Sequence, residues 1–131
     1  MADLSPFGVR VASGSLREGD GVVLPHAWTE AGVLASPVTN GAQALHLSVA
    51  LCVLNDTYRE AQRLAVPIDG VTVTADGAFD DVWTSTGITY DIAVDTAAPS
   101  ESLALLLEVV DEVAEIPRVL RAGADVRRAG Q

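Results

Sequence analysis

Two short apolar runs, GVRVAS at 8–13 and GVVLP at 21–25, flank the turn-rich GSLREGDG and predict strands, with AWTEAGVL at 27–34 as a third in a short meander. The rhythm then changes. Asn40 reads as a helix N-cap, its side chain accepting a first-turn amide while Gln43 reaches back in the capping-box manner. From Ala42 to Leu54 the pattern is apolar nearly all round, which demands burial on several sides, in a core or at a subunit interface. Asp56, Arg59, Glu60, Gln62 and Arg63 follow as a wet face, and Asp56 and Glu60, one turn apart, are expected in solvent facing Arg59 and Arg63. Pro67 ends the helix. VTVT at 71–74 and ITYDIAVD at 88–95 alternate with period two, placing Ile88, Tyr90, Ile92 and Val94 on one face of an antiparallel sheet. Pro99 and Ser100 open a second helix with Leu103, Leu106, Leu107, Val110 and Ala114 on one stripe and Glu101 to Glu115 turned to water. Pro117 breaks or kinks it after Ile116, and PRVLRAG gives a short helical turn before a last strand around Ala124 to Arg128. Together these elements predict an α+β domain.

Composition narrows the functional classes. The 131 residues contain no internal repeat or linker, predict a single domain over 1–131, and can bury roughly two thirds of their unfolded surface. Eight basic residues, all Arg, against 18 acidic ones give a net charge of -10, which repels phosphate backbones and anionic membranes. Neither nucleic acid nor membrane is expected as a partner. MADLSPFGVRV has no charged lead and apolar core of a signal peptide, and the longest apolar run, broken by His46 and Ser48, falls short of the roughly 20 residues that span a bilayer. A cytoplasmic location is the expectation. One cysteine closes no internal disulfide, and two His with one Cys in no ligand spacing predict neither a metal nor another cofactor.

Candidate chemistry centres on Cys52. A lone Cys among Val, Leu and Ala is either a small core hydrophobe or a reactive thiol that needs polar help. The helix dipole gives little, since residue 52 lies about three turns beyond Asn40 and the field fades within the first turn. His46 stands six residues earlier, about 600° of rotation, so the two do not share a face. Within one chain His46 reads as a hydrogen-bonded core or interface histidine; across a dimer it could reach the other pocket. His26, beside Trp28, reads as a loop or edge residue. Trp28, Trp83 and Tyr90 either line an apolar pocket or belong to the core.

With these features in place, the chain resembles the OsmC/Ohr family of osmotically inducible and organic hydroperoxide resistance proteins over essentially its whole length. The family's reactive-cysteine helix opens with Thr-Asn-Pro-Glu-Gln-Leu, and Asn40, Gln43 and Cys52 stand at matching places. REAQRLAVPIDGVTV resembles its passage into the next strand, and EVAEIPRVLRAGADV its second-cysteine segment. The resemblance implies an intertwined homodimer with antiparallel sheets around long buried helices and apolar pockets at the subunit boundary. It also implies that Cys52 is the peroxidatic thiol, with Arg17 within GSLREG as the activating arginine and Arg10 as the fallback. Two departures stand out: the family's Glu falls on Ala42 and its second cysteine on Ile116.

Two functions follow from that comparison. One is a one-cysteine thiol peroxidase that reduces a lipophilic organic hydroperoxide through Cys52, with Arg17 activating it and an external thiol reductant regenerating it. The other is a repurposed scaffold whose roomier pocket at Ala42 and Ile116, with His46, Arg17 and Tyr90 as polar anchors, binds a small apolar molecule or converts it without redox chemistry, as in a cyclisation or isomerisation.

Overall fold

The computed structural model of the protein describes residues 3–130. Eight elements follow in chain order: β1 (Val9–Gly14), β2 (Val22–Leu24), β3 (Val33–Ala35), α1 (Gly41–Arg63), β4 (Gly70–Phe79), β5 (Ser85–Asp95), α2 (Ser100–Val113) and α3 (Glu115–Ala122). The five strands form one antiparallel sheet in the order β2-β3-β1-β4-β5. This is an α+β domain, as the sequence predicts.

Register explains the core. Val9 pairs with Ala75 and Val11 with Val73, while Tyr90 and Ile92 of β5 stand opposite the same two β4 residues. Their side chains therefore share one face, on which α1 lies through Val49, Ala50, Val53 and Leu54. α2 packs on α1 and fully buries Leu106 and Val110. The long helix is thus covered by the sheet and by α2, yet Leu47, Leu51 and Cys52 remain only partly buried.

Local chemistry fixes the ends of α1. The Asn40 side chain accepts from the Gln43 amide at 2.9 Å, and the Gln43 carboxamide reaches back to the Thr39 amide at 2.7 Å, one residue further than a capping box. The helix stops at Arg63, before the expected Pro67: Leu64 caps it and Ala65 turns left-handed at φ 57°. Pro67 then forbids any resumption.

Four expectations are corrected. β1 does not neighbour β2; β3 lies between them, because Val33 and Ala35 are buried and suit an interior slot whereas Val22 and Val23 are exposed on an edge. The third strand also starts later than 27, after a turn in which Thr29 accepts from the Gly32 amide. At the other end, residues 124–128 form no strand: Val126, 89% exposed, is the segment's only large apolar residue and has no face to bury. The helix break falls at Ala114, not after Ile116, and Pro117 sits in the first turn of α3, where its missing N–H leaves no bond unmade.

Candidate functional site

Cys52, Asp56 and Arg59 occupy positions i, i+4 and i+7 of α1 and so line one stripe, which the start of α3 covers with Glu115 and Ile116. The Cys52 thiol stands 3.5 Å from Glu115 Oε2 and 3.8 Å from Asp56 Oδ2, and the Ile116 amide donates to the sulfur at 3.5 Å. Arg59 Nη1 binds Asp56 Oδ1 at 3.2 Å and Glu115 Oε1 at 3.0 Å, and its Nε reaches Glu60 Oε2 at 3.2 Å. Arg63 closes the network on Glu60 Oε1 at 2.8 Å. The expectation of a solvated carboxylate face fails here. Asp56 is 1% exposed and Glu60 7% exposed, because the arginines fold over them and supply the counter-charge that burial requires.

Electrostatics sets the protonation pattern. Burial pushes the Cys52 thiol up, the Ile116 amide opposes this, and the charges of Asp56 and Glu115 add to the rise. Burial also raises Asp56, with its hydrogen bond to Glu115 acting in the same direction. Glu115 is pulled down to about 2 by its own backbone amide, by Asp56 and by Arg59. The two carboxyls therefore divide, Asp56 raised and Glu115 lowered, beside a thiol that is itself raised. The sulfur and one oxygen of each carboxylate lie within 4.8 Å of one another, a donor set within reach of a divalent cation, although the Arg59 guanidinium already bridges the two carboxylates.

A second polar group abuts this one. Asn55 donates to Asp56 Oδ1 at 3.2 Å and also lies against His26, whose Nδ1 meets Thr29 Oγ1 at 3.0 Å. The His26 ring stands edge-on to Tyr58, whose hydroxyl is 2.7 Å from Ser13 Oγ. Burial lowers the His26 pKa against the opposing Asn55 contact, which keeps the ring neutral near pH 7.

The other residues singled out from the sequence are spread around the domain. Arg17 is exposed to solvent where it donates to the Ala31 carbonyl at 2.8 Å, and Arg10 reaches Glu18 at 3.5 Å from the sheet face opposite α1. Within one chain neither guanidinium is among the groups around Cys52. His46 is fully buried on the other side of α1: its Nδ1–H donates to the Phe7 carbonyl at 2.8 Å, its ring stacks on Phe79, and its Nε2 faces Gly77, where a Cβ would sit 2.9 Å away. Trp28 is partly exposed in the β2–β3 loop. Trp83 occupies the β4–β5 hairpin at φ 63°, 71% exposed, with its ring against Phe7 and Phe79. Ala42 lies half-buried in the first turn of α1. Ile116 and Tyr90 pack against the core, and the Tyr90 hydroxyl donates to Asp111, which with burial pushes the phenol up to about 12.

Asp56, Arg59 and Glu115 are the residues that sequence reasoning missed as site members. The i, i+4, i+7 spacing from Cys52 was the available signal for the first two; the approach of Glu115 depends on where the chain breaks at Ala114.

The fold has solved counterparts. An OsmC-like protein from Mycoplasma pneumoniae superposes with a TM-score of 0.60 at 10% identity, over 71% of this chain and 75% of that one. An OsmC-like hydroperoxide resistance protein from Jannaschia sp. CCS1 superposes with a TM-score of 0.54 at 17% identity, over 93% and 92%. The chain has the OsmC-like fold. No family model and no curated protein matches the sequence. Among the described residues, no helix is long and apolar enough to cross a membrane.

Proposed function

We propose that this OsmC-fold chain binds a small apolar molecule beside Cys52 and converts it without net redox chemistry, with Asp56 as the group that gives up and recovers a proton. The observation that carries this reading is the charge facing the sulfur. Two carboxylates stand at 3.5 and 3.8 Å from it, and both disfavour the thiolate that a peroxidase needs. A carboxyl whose pKa is raised by burial is instead suited to acid–base work. Glu115 acts as a positioning residue that favours the proton on Asp56, while Arg59 holds the two carboxyl groups together. The half-buried Leu47, Leu51 and Cys52 support a homodimer as the working form.

The Ile116 amide favours a second reading, since a donor at 3.5 Å from the sulfur stabilises a thiolate. In that reading Cys52 takes the distal oxygen of an organic hydroperoxide, yielding the alcohol and a sulfenic acid; one external thiol condenses with it to a mixed disulfide with release of water, and a second thiol frees Cys52 and leaves as the external disulfide. The hydroperoxide-resistance neighbour agrees with it.

Iodoacetamide alkylation of Cys52 against pH, alongside cumene hydroperoxide consumption, separates the two. We expect slow alkylation at neutral pH, with an inflection above the ordinary thiol range, and peroxide consumption no faster than by a free thiol. Fast alkylation at pH 7 with saturable peroxide turnover that Cys52→Ser abolishes would establish the peroxidase.

A further inference from the structure

We propose that the cavity between β5 and α3 is a binding site for a small neutral apolar molecule carrying one carbonyl oxygen. This goes beyond the non-redox reading above, since none of Cys52, Asp56 and Glu115 lines the cavity. The cavity measures about 220 Å3 and is walled by Val49 of α1, Ile88 and Tyr90 of β5, and Pro117, Leu120 and Arg121 of α3. Pockets for drug-sized ligands run to roughly 300–1,000 Å3, so the occupant is smaller, an aryl or short alkyl ketone or aldehyde in size.

The polar end of the cavity decides the ligand's charge. Asp111 Oδ1 accepts from the Tyr90 hydroxyl and from Arg121 Nη2 at 3.0 Å, and the Asp111 carbonyl accepts from Arg121 Nη1 at 3.2 Å. The carboxylate cancels the guanidinium charge, so the site offers an anion no net attraction in a chain of net charge -10. A guanidinium has five N–H donors, and the Arg121 contacts with Asp111 and the Tyr90 hydroxyl leave some of them for an uncharged acceptor. Apolar walls with a neutral donor pole fit a ketone better than a carboxylate or an amine.

The cavity neighbours the Cys52 segment without including it. Val49 stands one turn before Cys52 on α1, and Pro117 follows Ile116, whose amide meets the sulfur.

The test is titration of the intact protein with acetophenone, benzoate and toluene, followed by amide shifts in two-dimensional NMR. Acetophenone is expected to saturate shifts at Ser85, Gly87, Ile88, Leu120 and Arg121, with benzoate at least tenfold weaker. Leu120→Trp, at a residue already 38% exposed, should fill the mouth and lower acetophenone affinity at least tenfold with the fold unchanged by circular dichroism. Arg121→Met should weaken acetophenone about tenfold yet leave toluene affinity unaltered. Absent shifts at these residues, equal binding to Leu120→Trp, or benzoate binding as tightly as acetophenone would each overturn the proposal. The two readings fail separately: slow Cys52 alkylation with no acetophenone binding removes only this site, whereas fast alkylation with intact binding removes the non-redox chemistry and leaves the site.

Discussion

At the residue scale, the reactivity of Cys52 is set by what surrounds it, and the contributions can be removed one at a time. Burial is the largest cause of its raised pKa, with the Asp56 and Glu115 charges adding to it. Glu115→Gln should therefore lower the inflection in the alkylation–pH profile without returning it to the ordinary thiol value, and Asp56→Asn should act in the same direction. A profile unmoved by both would mean that the carboxylates do not face the thiol in solution. Glu60 gives a separate test, of stability. Its carboxyl is held below the usual range chiefly by Arg63, with burial opposing and Arg59 assisting. A depressed carboxyl contributes stability above its unfolded pKa and loses it as pH falls through the folded one. Glu60→Gln should thus cost about 1–3 kcal/mol at pH 7, with the difference shrinking toward pH 3 in thermal melts. Neither acid could be placed from sequence: a helical wheel shows Asp56 and Glu60 as charges, and only the folded arginine side chains show why they can be buried. His46 was more legible, because six residues of helical rotation already separate it from the face of Cys52.

At the element scale, local signals carried most of the secondary structure. The Asn40 cap, the period-two runs of β4 and β5 and the apolar stripe of α2 each appear where their patterns lie. Asn40→Ala removes the acceptor for the Gln43 amide and should cost about 1 kcal/mol in urea unfolding, with α1 otherwise intact. Signals that depend on partners were weaker. The place of β3 between β2 and β1 is set by which valines the core accepts, and the absent strand at 124–128 reflects a segment with nothing opposite it. The same limit applied to Glu115, since the break at Ala114 that brings it to Cys52 is a backbone turn and not a periodicity.

At the scale of the whole molecule, the balance between covered and uncovered apolar surface predicts self-association. α1 has the sheet on one side and α2 on another, yet its residues Leu47 and Leu51 stay half-buried, and Leu105 of α2 and Val119 of α3 are 51% and 45% exposed. Apolar surface gathered on neighbouring helices is the kind that soluble chains cover by pairing. Sedimentation velocity at micromolar concentration should therefore give a species of twice 13.6 kDa. The double variant Leu105→Glu with Val119→Glu changes side chains that a single chain already leaves in water, so the fold should persist while like charges are forced into the contact. It should sediment as a folded monomer, with the helical signal of the parent in circular dichroism. A parent that is monomeric at these concentrations would remove the dimer. A double variant that remains dimeric would instead move the interface away from α2 and α3, to another exposed apolar patch such as the β2 edge at Val22 and Val23.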